Sequence, residues 1–160
     1  MARHLVLGNG QCLVCIDKYG QIRNFYYPFV GKEDHVRGHH HRHGVWVNGK
    51  FKWISENQGW DISITYKKDT LIGESSFTSQ ELGIKVNVTE TVHYNKNIYL
   101  KKVTIKNLDD KRKDVRFFLN QHFHIAGDNV GDTVYYNPIL QAVISYKGRR
   151  YFLINGIHQK

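Results

Sequence analysis

Proline and cysteine are both scarce in this 160-residue chain, which holds two of each. So few prolines exclude a Pro-rich linker or a polyproline rod. Two cysteines cannot build the disulfide framework of a small secreted domain. No apolar run approaches the ~18 residues of a membrane-spanning helix. Near the start, Leu5-Val6-Leu7 is too short for the h-region of a signal peptide, so a cytoplasmic location is expected. No segment keeps a helical period between caps. Nucleotide and hydrolase signatures are missing as well: there is no Gly-x-Ser-x-Gly and no P-loop, and Gly8-Asn9-Gly10 lacks the third glycine of a dinucleotide fingerprint. No cofactor is implied.

What is present suits one globular domain over residues 1–160. Hydrophobic residues make up 41% and charged residues 23%, a balance that disordered chains do not reach. Aromatics reach 13%, which favours strands and stacking surfaces over a helical bundle. The net charge of +9 raises the question of a polyanion. The cations, however, are spread along the chain and alternate with apolar residues, as on solvent faces of strands. The densest run, Lys111-Arg112-Lys113, sits between Asp109-Asp110 and Asp114 and reads as a charged turn. No nucleic-acid or membrane partner is expected.

The dominant period is two. Ile84, Val86 and Val88 alternate with polar residues, as do Ile62 and Ile64, and the run Val115, Phe117, Leu119, Gln121, Phe123. Such alternation turns one face of a strand to a core and the other to solvent. Asn48-Gly49 between two such runs is a strong hairpin signal. About eleven strands with turns at ~8–12-residue spacing predict an all-β antiparallel sandwich or barrel. The expected core is Val14, Ile16, Val45, Val47, Ile62, Ile64, Ile84, Val86, Val103, Ile105, Phe117, Leu119, Phe123, Ile144 and Leu153. Residues 26–43 and 127–138 read as long loops, which in compact domains tend to be functional or mobile.

Few residues suggest chemistry. Cys12 and Cys15 form a C-x-x-C, but Leu13, Val14 and Ile16 mark a strand, so two reduced strand cysteines are expected. Gly38 to Gly44 holds His39, His40, His41 and His43. Imidazoles are common metal ligands, yet four in one loop rarely converge unaided, and no metal site is expected. His122 and His124 would share a strand face. A glycosidase needs two carboxyl groups across the scissile bond. Glu33, Asp34, Asp128 and Asp132 lie in predicted loops with nothing to bring a pair together, while Asp61, Glu74 and Glu90 read as surface residues. The expected set of catalytic residues is therefore empty. The aromatics Phe25, Tyr26, Tyr27, Phe29, Trp46, Tyr135 and Tyr136 could stack on sugars or on a partner, or simply close the ends of a sandwich.

Taken in order, Arg3 to Gly10, Asp17 to Gly31, His41 to Gly49 and Gly131 to Pro138 (Gly-Asp-Thr-Val-Tyr-Tyr-Asn-Pro) form a recognisable string. It resembles the N-terminal domain of bacterial and archaeal family 15 glycoside hydrolases, the glucoamylase, glucodextranase and trehalase group. The resemblance implies an antiparallel supersandwich of the galactose-mutarotase-like kind, with two packed sheets. It also implies a following (α/α)6 barrel carrying both catalytic glutamates, and no such barrel lies in this chain. The expected role is then a non-catalytic domain that packs on the barrel, supports its folding and shapes the active-site rim. A carbohydrate-binding module stacking α-glucans on loop aromatics is the alternative. Tyr26, Tyr27, Pro28, His35, His41, Arg42, His43, Trp46, Tyr135 and Tyr136 become candidates for barrel-facing or sugar-proximal positions. The partners implied are the helical catalytic domain and an α-glucoside or trehalose, and an uncovered docking face would lead the domain to self-associate. His39 and His40 depart from the family pattern.

Overall fold

The computed structural model describes residues 4–127 and 130–158. Thirteen strands form among them: β1 (Leu5–Gly8), β2 (Leu13–Ile16), β3 (Ile22–Tyr26), β4 (Arg42–Val47), β5 (Lys50–Trp53), β6 (Asp61–Tyr66), β7 (Gly73–Ser79), β8 (Ile84–Val92), β9 (Tyr99–Asn107), β10 (Val115–Asn120), β11 (Thr133–Asn137), β12 (Ala142–Lys147) and β13 (Arg150–Ile154). One 3-10 turn, Ile125–Gly127, is the helical element of the described residues. No helix there is long and apolar enough to cross a membrane.

All pairings are antiparallel, as the alternation predicts. They form four open sheets, ordered β1-β2-β3, β10-β4-β5, β6-β7-β8-β9 and β11-β12-β13. The first two are joined by a bridge in which Ile22 and His41 exchange both backbone hydrogen bonds, at 2.9 and 3.1 Å. Together they lie over the β6–β9 sheet, giving the sandwich-like fold expected from the sequence. One apolar cluster gathers Leu5, Leu7, Cys12, Val14, Ile16, Ile22, Val36 and Val92. The other gathers Val45, Val47, Ile54, Phe77, Leu82, Ile84, Val86 and Val88. Strand β8 serves both, because its even-numbered side chains all turn inward.

Turn chemistry fixes the register. Asn48 and Gly49 both adopt positive φ, at 47° and 95°, which a two-residue hairpin loop of the type I′ kind requires. At the β2–β3 turn the Asp17 carboxylate accepts from the backbone N–H groups of Tyr19 (2.8 Å) and Gln21 (3.0 Å). Gly20 then turns at φ 73°, and a Cβ there would lie 2.4 Å from Cζ of the buried Phe77. This turn therefore rests directly on the core.

Several expectations are corrected. Leu119 and Leu153 are 50% and 55% exposed. Both lie on edge strands, β10 and β13, where a neighbour covers one side only. Phe152, on the other face of β13, is buried instead. Ile62, Ile64, Val103, Ile105, Phe117 and Phe123 are half-buried, lining the core rather than filling it. The predicted loop at 26–43 ends early, since Arg42 and His43 already belong to β4, and β11 occupies part of the predicted loop at 127–138. His122 and His124 follow the end of β10 and lie on no strand. Cys15 lies on β2 and Cys12 just before it. Both thiols are buried and reduced, and burial pushes the Cys12 thiol up to about 11.

Candidate functional site

Between the two apolar clusters runs a polar seam. Glu90 has the same parity on β8 as Ile84, Val86 and Val88, so it points inward and is only 2% exposed, not a surface residue as its charge suggests. Its cross-strand partner is Lys101, whose ammonium lies 3.2 Å from Glu90 Oε2. The Tyr99 hydroxyl donates to the same oxygen. Burial, and then the Glu90 charge, hold the Tyr99 phenol well above its ordinary value. Lys101 also donates to His43 Nε2 at 2.7 Å, which fixes the imidazole as an acceptor at that nitrogen. Burial, helped by the Lys101 charge, pushes His43 well below its ordinary value, so it stays neutral. The seam works as a buried, charge-compensated strut.

The histidine-rich stretch is divided by depth. His35, His41 and His43 are buried, His40 is half-buried, and His39 is exposed. His35 contacts the Tyr27 backbone carbonyl through Nε2 at 2.5 Å and packs on Phe152. Desolvation lowers its pKa, against an opposing pull from that carbonyl. Neither ring nitrogen of His41 has a hydrogen-bond partner among the described residues. Burial drives His41 down to about 4, against an opposing pull from the nearby His122 backbone. His39 lies against His122 and His124, with ring centroids 4.2 and 5.4 Å away. Among the described residues, no three His, Cys, Asp or Glu are placed to hold a metal ion.

The loop acids are each engaged in local structure. Glu33 takes a bidentate contact from Arg150 of β13, at 2.9 and 3.0 Å, and this hydrogen bonding holds its carboxyl below the usual range. Asp34 accepts from the Asn24 amide at 2.6 Å and from the backbone of Phe25 and Val36 at 3.0 and 3.1 Å. Asp132 accepts from the Ile125 N–H at 3.1 Å. Asp128 lies outside the described residues. No two of the described loop acids are assembled as an acid and a base across a cleft.

The remaining candidates sit on surfaces. Tyr26, Tyr27 and Pro28 are half-buried. Tyr27 packs edge-on against Phe152, so this segment helps to seat the β11–β13 sheet. Tyr135 and Tyr136 point to opposite faces of β11 and are both exposed, as are Val134, Val143, Tyr151 and Leu153 of the same sheet. Arg42 and Trp46 are half-buried on the outer face of β4, whereas His43 between them is buried on the inner face. Sequence reasoning missed Arg150 and Asp17. An isolated arginine in a strand gives no signal of its partner, but an aspartate three residues before a glycine is a turn signature.

No family model matches the chain, and no solved structure matches it. A protein of Methanocaldococcus jannaschii named as an uncharacterized glycosyl hydrolase is 27% identical over 153 residues. That match covers 94% of this chain and 23% of the relative, so the chain spans about a quarter of the length of the curated relative it matches. The similarity supports a glycoside-hydrolase-related domain.

Proposed function

We propose that the chain is a non-catalytic β-sandwich domain of an α-glucoside hydrolase of the glucoamylase or trehalase kind in family 15. It packs on a helical catalytic domain, supports the folding of that domain and shapes the rim of its active site. The observation that carries this reading is the match of nearly the whole chain to a quarter of a larger glycosyl hydrolase. Two features of the fold support it. The described loop acids, Glu33, Asp34 and Asp132, are committed to Arg150, Asn24 and backbone amides. The β11–β13 sheet exposes large apolar or aromatic side chains on both faces, Val134, Tyr136 and Val143 on one and Tyr135, Tyr151 and Leu153 on the other, as a surface awaiting a partner would.

Glucose release tests the catalytic half of the reading. The purified chain should liberate none from trehalose, maltose or maltooligosaccharides. Turnover that disappears on replacing a loop acid would overturn it.

A further inference from the structure

The face of β10-β4-β5 turned away from the core carries a side-chain set that neither the fold nor the seam uses. Register places Arg116, Trp46 and Phe51 side by side across the three strands, then Phe118, Gly44 and Trp53, then Asn120 beside Arg42. Side chains directly opposite one another share a face, so four aromatic rings form one contiguous patch. Phe51 and Phe118 are each 43% exposed. Phe51 meets Trp53 edge-on at 4.8 Å and Phe118 at 5.6 Å. Gly44 makes the arrangement possible: a Cβ there would lie 2.6 Å from Phe51 Cζ and 3.0 Å from Trp53 Cε3, so both rings reach in over β4 where a larger residue would hold them off. Each end is closed by a guanidinium over an indole, Arg42 at 4.1 Å from the Trp53 centroid and Arg116 at 4.5 Å from that of Trp46. Strand spacing makes the patch roughly 10 Å across and 14 Å long.

We propose that this face binds a neutral oligosaccharide, its pyranose rings stacked on the aromatic patch and its hydroxyls met by Arg42, Arg116 and Asn120. The choice of ligand follows from chemistry on the face. A sugar ring has an apolar C–H face and a hydroxyl rim, matching rings bordered by N–H donors. A polyanion would need clustered free cations, whereas Arg116 is neutralised by Asp114 at 3.4 Å. The aliphatic and tyrosine surface of β11–β13 is the one suited to a protein partner. The proposal rests on the saccharide-related reading above, and it moves the stacking surface from the predicted loops to a sheet face, with Trp46 the residue common to both.

Calorimetric titration of the 160-residue protein with maltoheptaose and with cellohexaose decides it. At least one sugar should bind, with quenching or enhancement of tryptophan fluorescence. Phe51→Ala and Arg116→Ala, both at exposed positions, should each weaken binding by about tenfold while the thermal melt stays in place. Tyr151→Ala, on β13, should leave affinity unchanged. Binding of neither sugar, or binding that both variants leave intact, overturns the proposal. So does a patch that instead joins two copies, seen as sedimentation of a dimer that Phe51→Ala dissociates without any sugar being bound. Sugar binding indifferent to these variants would leave the proposed function standing, while glucose release by the chain would overturn that function without touching this face.

Discussion

Acid should weaken this fold well before its carboxylates protonate. His41 is buried, its imidazole makes no hydrogen bond among the described residues, and its pKa is pushed from 6.5 to about 4. The His122 backbone favours its charge, the charges of Lys101 and His122 disfavour it, and Asp34 favours it more weakly. Between pH 6.5 and 4 the unfolded chain therefore binds more protons than the folded one at this site. Stability is fully present above pH 6.5 and falls as the pH drops towards 4, with a slope of about 1.4 kcal/mol per pH unit for one proton. From pH 7 to pH 5, His41 alone removes about 2 kcal/mol, a sizeable share of the ~5–15 kcal/mol that holds a domain together. His43 and His35, also lowered by burial, act in the same direction. Urea denaturation at half-unit pH steps measures the slope. His41→Leu keeps the backbone bridge to Ile22 and removes the titrating group, so its profile should be flatter by about one proton. Stability that stays constant from pH 7 to 5, or a variant profile parallel to the parent's, would refute the reasoning.

The polar seam and the β2–β3 turn give two further expectations. Glu90→Gln keeps the shape of the side chain but leaves the buried Lys101 ammonium without its counter-charge, and should cost about 3 kcal/mol in chemical denaturation. A loss below about 1 kcal/mol would show that Lys101 reaches solvent when unpaired. Gly20→Ala combines a positive φ with a clash against a buried ring, and should destabilise by about 2–3 kcal/mol, read as a lower denaturation midpoint. An unchanged midpoint would mean that Phe77 can move aside.

Much of the fold was legible because side-chain parity is a local property. Ile84, Val86 and Val88 announce the inner face of β8, and Asn48-Gly49 announces its hairpin by demanding two positive φ angles. The same parity marks Glu90 as inward, but its charge argued for solvent, and only the cross-strand Lys101 and the Tyr99 hydroxyl explain why the core accepts it. Leu119 and Leu153 failed for the opposite reason: their pattern is right, but a sequence does not say which strands end up at an edge. Burial of His35, His41 and His43 was hidden by residue type, since imidazole is polar by itself and apolar enough when neutral to pack on Phe152, Phe123 and Phe117. The aromatic face of β10-β4-β5 could not be seen in sequence, because its rows join residues some seventy positions apart, such as Trp46 and Arg116.

The most direct measurement of the non-catalytic reading is glucose release by the purified chain from trehalose and maltoheptaose, followed over hours at high protein concentration, with Glu33→Gln and Asp132→Asn alongside. The account predicts release no faster than in buffer for all three proteins. Steady release by the parent chain that either substitution abolishes would contradict it.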